Sequence, residues 1–96
     1  MVVYFLAAAE FELKETVEWY DVQFKGLGDR FGSAVKETVN RIQIYPEAST
    51  IDRDGFRRIF IKGFPYKIIY YIDNGEIWIV AIAHGHRMPG YWKDRI

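Results

Sequence analysis

Apolar and polar positions change period three times along the chain. Val2 to Leu6 is a continuous apolar run of β-branched and aromatic types, which predicts a short buried strand. Ala9, Leu13, Val17, Tyr20 and Phe24 then recur at steps of three and four, the stripe of an amphipathic helix. The back of that helix is acidic, with Glu12, Glu15, Glu18 and Asp21. Gly26-Leu27-Gly28 interrupts the pattern. Gly26 suits the left-handed conformation that ends a helix, and Asp29 suits the cap of the next. Phe31, Val35, Thr38, Ile42 and Tyr45 form a second stripe, stopped by Pro46. So short a connector predicts an antiparallel helical hairpin.

Residues Glu47 to Asp54 read as a polar loop, after which the period becomes two. Phe56 to Lys62, Tyr66 to Ile72 and Ile77 to Ala83 read as three strands. Asn74-Gly75 between the last two favours a tight hairpin, since both residues tolerate positive φ. The expectation is an α+β fold of order β-α-α-β-β-β, one domain over residues 1–96 with both helices on one face of the sheet. Since the hairpin goes out and back, the first strand is expected to pair antiparallel with the last. Val17, Tyr20, Phe31, Val35, Ile42, Ile68, Tyr70, Ile79 and Ala81 are the expected core between helices and sheet.

Composition narrows the chemistry. Hydrophobic types make up 50% of the 96 residues, with 3 Trp, 7 Tyr and 7 Phe, enough large side chains for a small core. With 0 Cys, a disulfide scaffold, a zinc ribbon and a cysteine nucleophile are excluded. Net charge is zero, yet residues 1–52 carry 5 basic against 9 acidic side chains and residues 53–96 carry 8 against 4. The second half could meet a polyanion, while the whole molecule would not be steered to one. The apolar start lacks a leading cation and is broken by Glu10 and Glu12. No export or membrane-spanning segment is therefore expected, and a cytoplasmic location fits.

Familiar catalytic signatures are scarce. Ser33 and Ser49 stand in no nucleophile elbow. Gly26-Leu27-Gly28 lacks the Lys and Ser/Thr of a phosphate loop. His84 and His86 lack the company that a metal site needs, so no metal and no cofactor are expected. One of the two is expected to tie down the strand end by hydrogen bonds. The cations of the sheet say more. Arg58 and Lys62 share one face of their strand with Phe60, and with Lys67 and Tyr71 they would line the face that the helices leave open. Such a surface suits phosphates and bases. In the tail, Trp92 is expected to anchor the chain on the core and to hold Arg87 and Tyr91 at the sheet edge. Phe11, Trp19 and Val22 lie off the buried stripe of the first helix and are candidates for contact with a partner.

A set of features in order along the chain resembles the ParE/RelE superfamily of bacterial toxin–antitoxin modules. They are Trp19-Tyr20, Gly26-Leu27-Gly28 with Phe31, Ile42 with Pro46, Arg57-Arg58, Phe64-Pro65-Tyr66-Lys67-Ile68 with Tyr70, Ala81-Ile82, and His84, Arg87, Pro89, Tyr91, Trp92 and Arg95. The resemblance implies a toxin that inhibits growth until a cognate antitoxin neutralises it, in a toxin–antitoxin hetero-oligomer. RelE-like members cut mRNA on the translating ribosome without a metal, and Arg58, Lys67, Arg87 and Tyr91 stand where the nuclease residues would be. The sequence departs from that branch at Phe60, where a second basic residue is expected, and at Lys67, which replaces an Arg. ParE-like members poison DNA gyrase and have no recognised catalytic set. The Gly-Leu-Gly hairpin and the Pro89 to Trp92 tail resemble this branch more closely, with Arg87 and Tyr91 as implied target contacts. Whether the protein is an enzyme depends on the branch, and a non-toxic module that binds RNA or protein through its sheet is the remaining alternative.

Overall fold

A computed structural model of the chain describes residues 1–86 and 89–96. The elements are β1 (Val2–Phe5), α1 (Ala7–Gln23), α2 (Leu27–Ile44), β2 (Thr50–Ile51), β3 (Arg57–Phe60), β4 (Tyr66–Asp73), β5 (Glu76–His84) and a final 3₁₀ turn (Lys93–Arg95). The sheet is five-stranded in the order β1-β5-β4-β3-β2. The four-strand expectation thus gains a strand, and the first pairing changes sense, because β1 runs parallel to β5. Both corrections have one source. The polar loop contains β2, whose two exposed residues pair antiparallel with Arg57 and Arg58. This extra traverse reverses the direction in which the meander is entered, so its last strand ends up parallel to β1.

The Asn74-Gly75 hairpin forms as expected, with φ of 48° and 76° at its two residues. The connector between the helices works differently from the expectation. Gly26 takes the left-handed conformation (φ 88°) as the residue that caps α2, and Asp29 lies inside that helix. Gly28 is a contact point: a Cβ there would sit 2.4 Å from the Val17 carbonyl oxygen and 2.7 Å from Asp21 Cγ. Its N–H donates to Asp21 Oδ1 at 2.8 Å, so the first turn of α2 is bound to the last turns of α1.

Helices and sheet enclose the main core of Tyr20, Phe31, Val35, Ile42, Ile68, Tyr70, Ile77, Ile79 and Ile82. Tyr20 and Phe31 meet Phe64 and Tyr66 with ring centroids 5.0–6.1 Å apart, which fixes the hairpin to the β3–β4 turn. Val17 is partly buried against this core, and Phe24, at the end of its stripe, is exposed. Ala81 is buried on the opposite face of the sheet. The reason is a bulge: Ile69 pairs with Ala81 and Tyr70 with Ile79, leaving Val80 as an extra residue. An extra residue shifts the period-two phase, so Ile82 turns toward the helices and Val80, Ala81 and Ala83 turn away. There they join Phe56, Ile69 and Trp92 in a second, smaller core.

Candidate functional site

The tail builds the site by crossing the sheet face that the helices leave open. Trp92 is buried at 4% exposure against β4 and β5, as the anchoring expectation required. Its ring lies over Lys67, with Nζ 5.5 Å from the ring centroid. Lys67, expected on an open cationic face, is therefore buried at 7% exposure. The bulky indole covers the strand position where the ammonium would otherwise meet solvent. Trp92 Nε1 itself has no hydrogen-bond partner among the described residues. Arg58 is exposed and borders a shallow depression of about 430 Å³ with Asp52, Asp54 and the tail at Pro89, Gly90 and Lys93. Lys93 pairs there with Asp54 at 2.6 Å, and this hydrogen bond raises the ammonium above its ordinary pKa.

Residue Tyr91 points to the other side of the tail, into the best-connected polar cluster among the described residues. Its hydroxyl donates to Glu12 Oε2 at 2.9 Å. Arg95 grips the same carboxylate with both arms, Nη1 to Oε1 at 2.9 Å and Nη2 to Oε2 at 3.0 Å. The hydrogen bond to Glu12 raises the Arg95 guanidinium above its ordinary pKa. The location explains the cluster. β1 pairs with β5 only through Ile79, and Leu6 N–H closes that ladder on Ile79 O before the chain turns into α1. Beyond it, Ile82 N–H donates to Glu12 Oε1 at 3.0 Å, and Arg95 Nη1 donates to Val80 O at 2.9 Å. An ion pair stands in for the missing strand.

The sequence marks Arg95 only as part of the family resemblance and Glu12 only as part of an acidic helix face, and it assigns neither to a site. Glu12 is one of four carboxylates at similar helical spacing, and nothing local separates it from Glu15, Glu18 and Asp21. The acidic back is thus three-sided in effect, since Glu12 is drawn in while Glu15, Glu18 and Asp21 stay exposed. Phe11, Trp19 and Val22 are exposed on α1, as expected of contact candidates, at 61%, 55% and 83%. His84 Nδ1 accepts the His86 N–H at 3.0 Å, and the His84 ring packs on Tyr66, which ties down the strand end. Among the described residues no group of three or more side chains could hold a metal ion. No helix among them is long and apolar enough to cross a membrane. Arg87 lies outside the described residues, so the set of Arg58, Lys67, Arg87 and Tyr91 has three placed members. One is exposed, one lies under an indole, and one is bonded to Glu12.

Residues 3–89 match the family model of the ParE toxin of type II toxin–antitoxin systems, parDE. The chain belongs to the ParE toxin family. A solved structure described as a chromosomal ParDE toxin–antitoxin system from P. aeruginosa has a similar fold. The TM-score is 0.67 at 17% identity, over 88% of this chain and 95% of that one. No curated protein matches the sequence. The residues on which the resemblance rests have concrete roles in this chain. Phe64 and Tyr66 clamp the helical hairpin, Gly28 lets its helices touch, and Tyr91, Trp92 and Arg95 fasten the tail.

Proposed function

We propose that this ParE-family chain inhibits growth by acting on DNA gyrase and is neutralised by a cognate antitoxin in a toxin–antitoxin hetero-oligomer, in the cytoplasm. The observation that favours gyrase over mRNA is the engagement of Lys67 and Tyr91. Metal-free RNA cleavage needs a base, an acid and cations free to reach the phosphorane. Here the Tyr91 hydroxyl is given to Glu12, and Trp92 lies over Lys67. A gyrase inhibitor has no such requirement, because it acts by contact. Arg87 is the proposed target contact, and Phe11, Trp19 and Val22 offer apolar area to the antitoxin. The ParDE assembly of similar fold supports an antitoxin partner. Induced expression followed by parallel assays tests the reading. Loss of gyrase supercoiling with intact mRNA on translating ribosomes is expected. Ribosome-dependent mRNA cleavage with normal supercoiling would overturn it in favour of the nuclease.

A further inference from the structure

The β1 side of the sheet has a gap that the Glu12–Arg95 pair fills only in part. Gly85 N–H donates to Pro65 O at 2.8 Å, which shows that odd-numbered residues at the end of β5 turn their backbone toward β4. Ile82 N–H leaves for Glu12, which shows that even-numbered residues turn outward. Ile82 O and the backbone of His84 therefore face the gap, beyond the point where β1 has ended. Between this edge and α1 lies a recess of about 300 Å³, the size for one side chain rather than for a large ligand. Glu12 lines it but is saturated by Ile82, Tyr91 and Arg95. Glu15 also lines it, is exposed, and among the described residues has neither an ion pair nor a hydrogen bond. The indole of Trp19 forms one wall, 55% exposed and braced on Tyr20 with ring centroids 5.1 Å apart. Tyr66, packed on His84, forms another, and no Lys or Arg among the described residues lines the recess.

A free carboxylate, a carbonyl oxygen and an aromatic face around one small volume suit a flat cation. An anion would meet Glu15 and the carbonyl, and a metal ion lacks a third ligand among the described residues. A guanidinium can stack on the indole while its in-plane donors reach both oxygens, whereas an ammonium is a compact point charge with no flat face. We propose that the recess takes the guanidinium of an arginine side chain on a partner protein, stacked on Trp19, ion-paired with Glu15 and hydrogen-bonded to Ile82 O. The surroundings indicate what flanks that arginine. Phe11, Glu15, Trp19 and Val22 follow one another at steps of four, four and three along α1, so the carboxylate stands within an exposed apolar stripe. A matching surface carries its arginine among apolar residues. The proposal rests on the partner reading of that stripe for the protein that carries the arginine. To the apolar contact it adds a polar determinant, which selects among partners of equal hydrophobicity.

The test titrates the ¹⁵N-labelled full chain with the synthetic peptide acetyl-Ala-Leu-Arg-Leu-Ala-amide, following backbone amides and the Trp19 indole N–H. Shifts centred on Glu15, Trp19, Ile82 and His84 are expected. The same peptide with Lys in place of Arg should bind about fivefold more weakly. With citrulline, which keeps the shape of arginine without its charge, binding should be lost. Glu15→Gln and Trp19→Ala should each lower affinity about fivefold. Both positions are exposed on α1, so these variants keep the fold that the amide spectrum reports. Shifts elsewhere, equal binding of the lysine or citrulline peptide, or undiminished binding to both variants would overturn the proposal. So would agmatine bound as tightly as the peptide, which would assign the recess to a free small cation. The titration needs neither gyrase nor antitoxin, so its failure is separate from failure of the toxin–antitoxin reading.

Discussion

Replacing Arg95 by Ala is expected to destabilise the fold by about 3 kcal/mol, far more than loss of a surface ion pair. Glu12 and Arg95 have side-chain exposures of only 11% and 21%. Without the guanidinium, Glu12 retains two neutral donors, Ile82 N–H and the Tyr91 hydroxyl, and no counter-charge among the described residues. Val80 O also loses its donor at the sheet edge. Breaking a buried pair from one side costs ~3–5 kcal/mol, and residual water access to Arg95 argues for the lower end. A 96-residue chain has roughly 5–14 kcal/mol in total, so the change consumes a large share of it. At ~4–8 °C per kcal/mol for a domain of this size, Tm should fall by about 10–25 °C. Urea unfolding followed by circular dichroism measures it, with the slope m unchanged if the change is in stability alone. Glu12→Leu/Arg95→Met should recover only part of the loss, since it removes the unpaired charge but leaves Ile82 N–H and Val80 O without the partners they have here. A loss below about 1 kcal/mol for Arg95→Ala, the range of exposed pairs, would refute the strand-substitute role. A double variant no better than Arg95→Ala would refute the charge argument.

Trp92→Ala should cost ~3–5 kcal/mol and open Lys67 to solvent, read as a lower urea midpoint and faster reaction of Lys67 with an amine-acylating reagent. Gly28→Ala should destabilise by ~1–3 kcal/mol, because the methyl would meet the Val17 carbonyl and the helices must separate; thermal unfolding tests it. Tyr20 has a pKa raised above 10.0 by burial and then by the neighbouring Tyr66. Above that value the unfolded chain has released the proton that the folded one keeps, so stability falls as pH rises. Tyr20→Phe should lose less stability than the parent between about pH 9 and about pH 11, measured by urea midpoints.

Local chemistry in the sequence determined the kinds of element and their order. Period, glycine placement and Asn74-Gly75 concern neighbours within a few residues, whose preferences survive in any context. The two helices, the strands β1, β3, β4 and β5, and the core of Tyr20, Phe31, Val35, Ile42, Ile68, Tyr70 and Ile79 were all legible in this way. Exposure of Phe11, Trp19 and Val22 was legible too, because a helical stripe also defines what lies off it. Only the tertiary structure decided the sense of the β1–β5 pairing and the face of Ala81. The first turned on β2, two exposed residues whose pairing depends on β3 being alongside, and the second on a one-residue bulge at Val80. The candidate site was decided there as well. Glu12 meets Ile82, Tyr91 and Arg95 across 70 to 83 residues of chain, and no local pattern distinguishes a carboxylate that will find such partners from one that will stay in water.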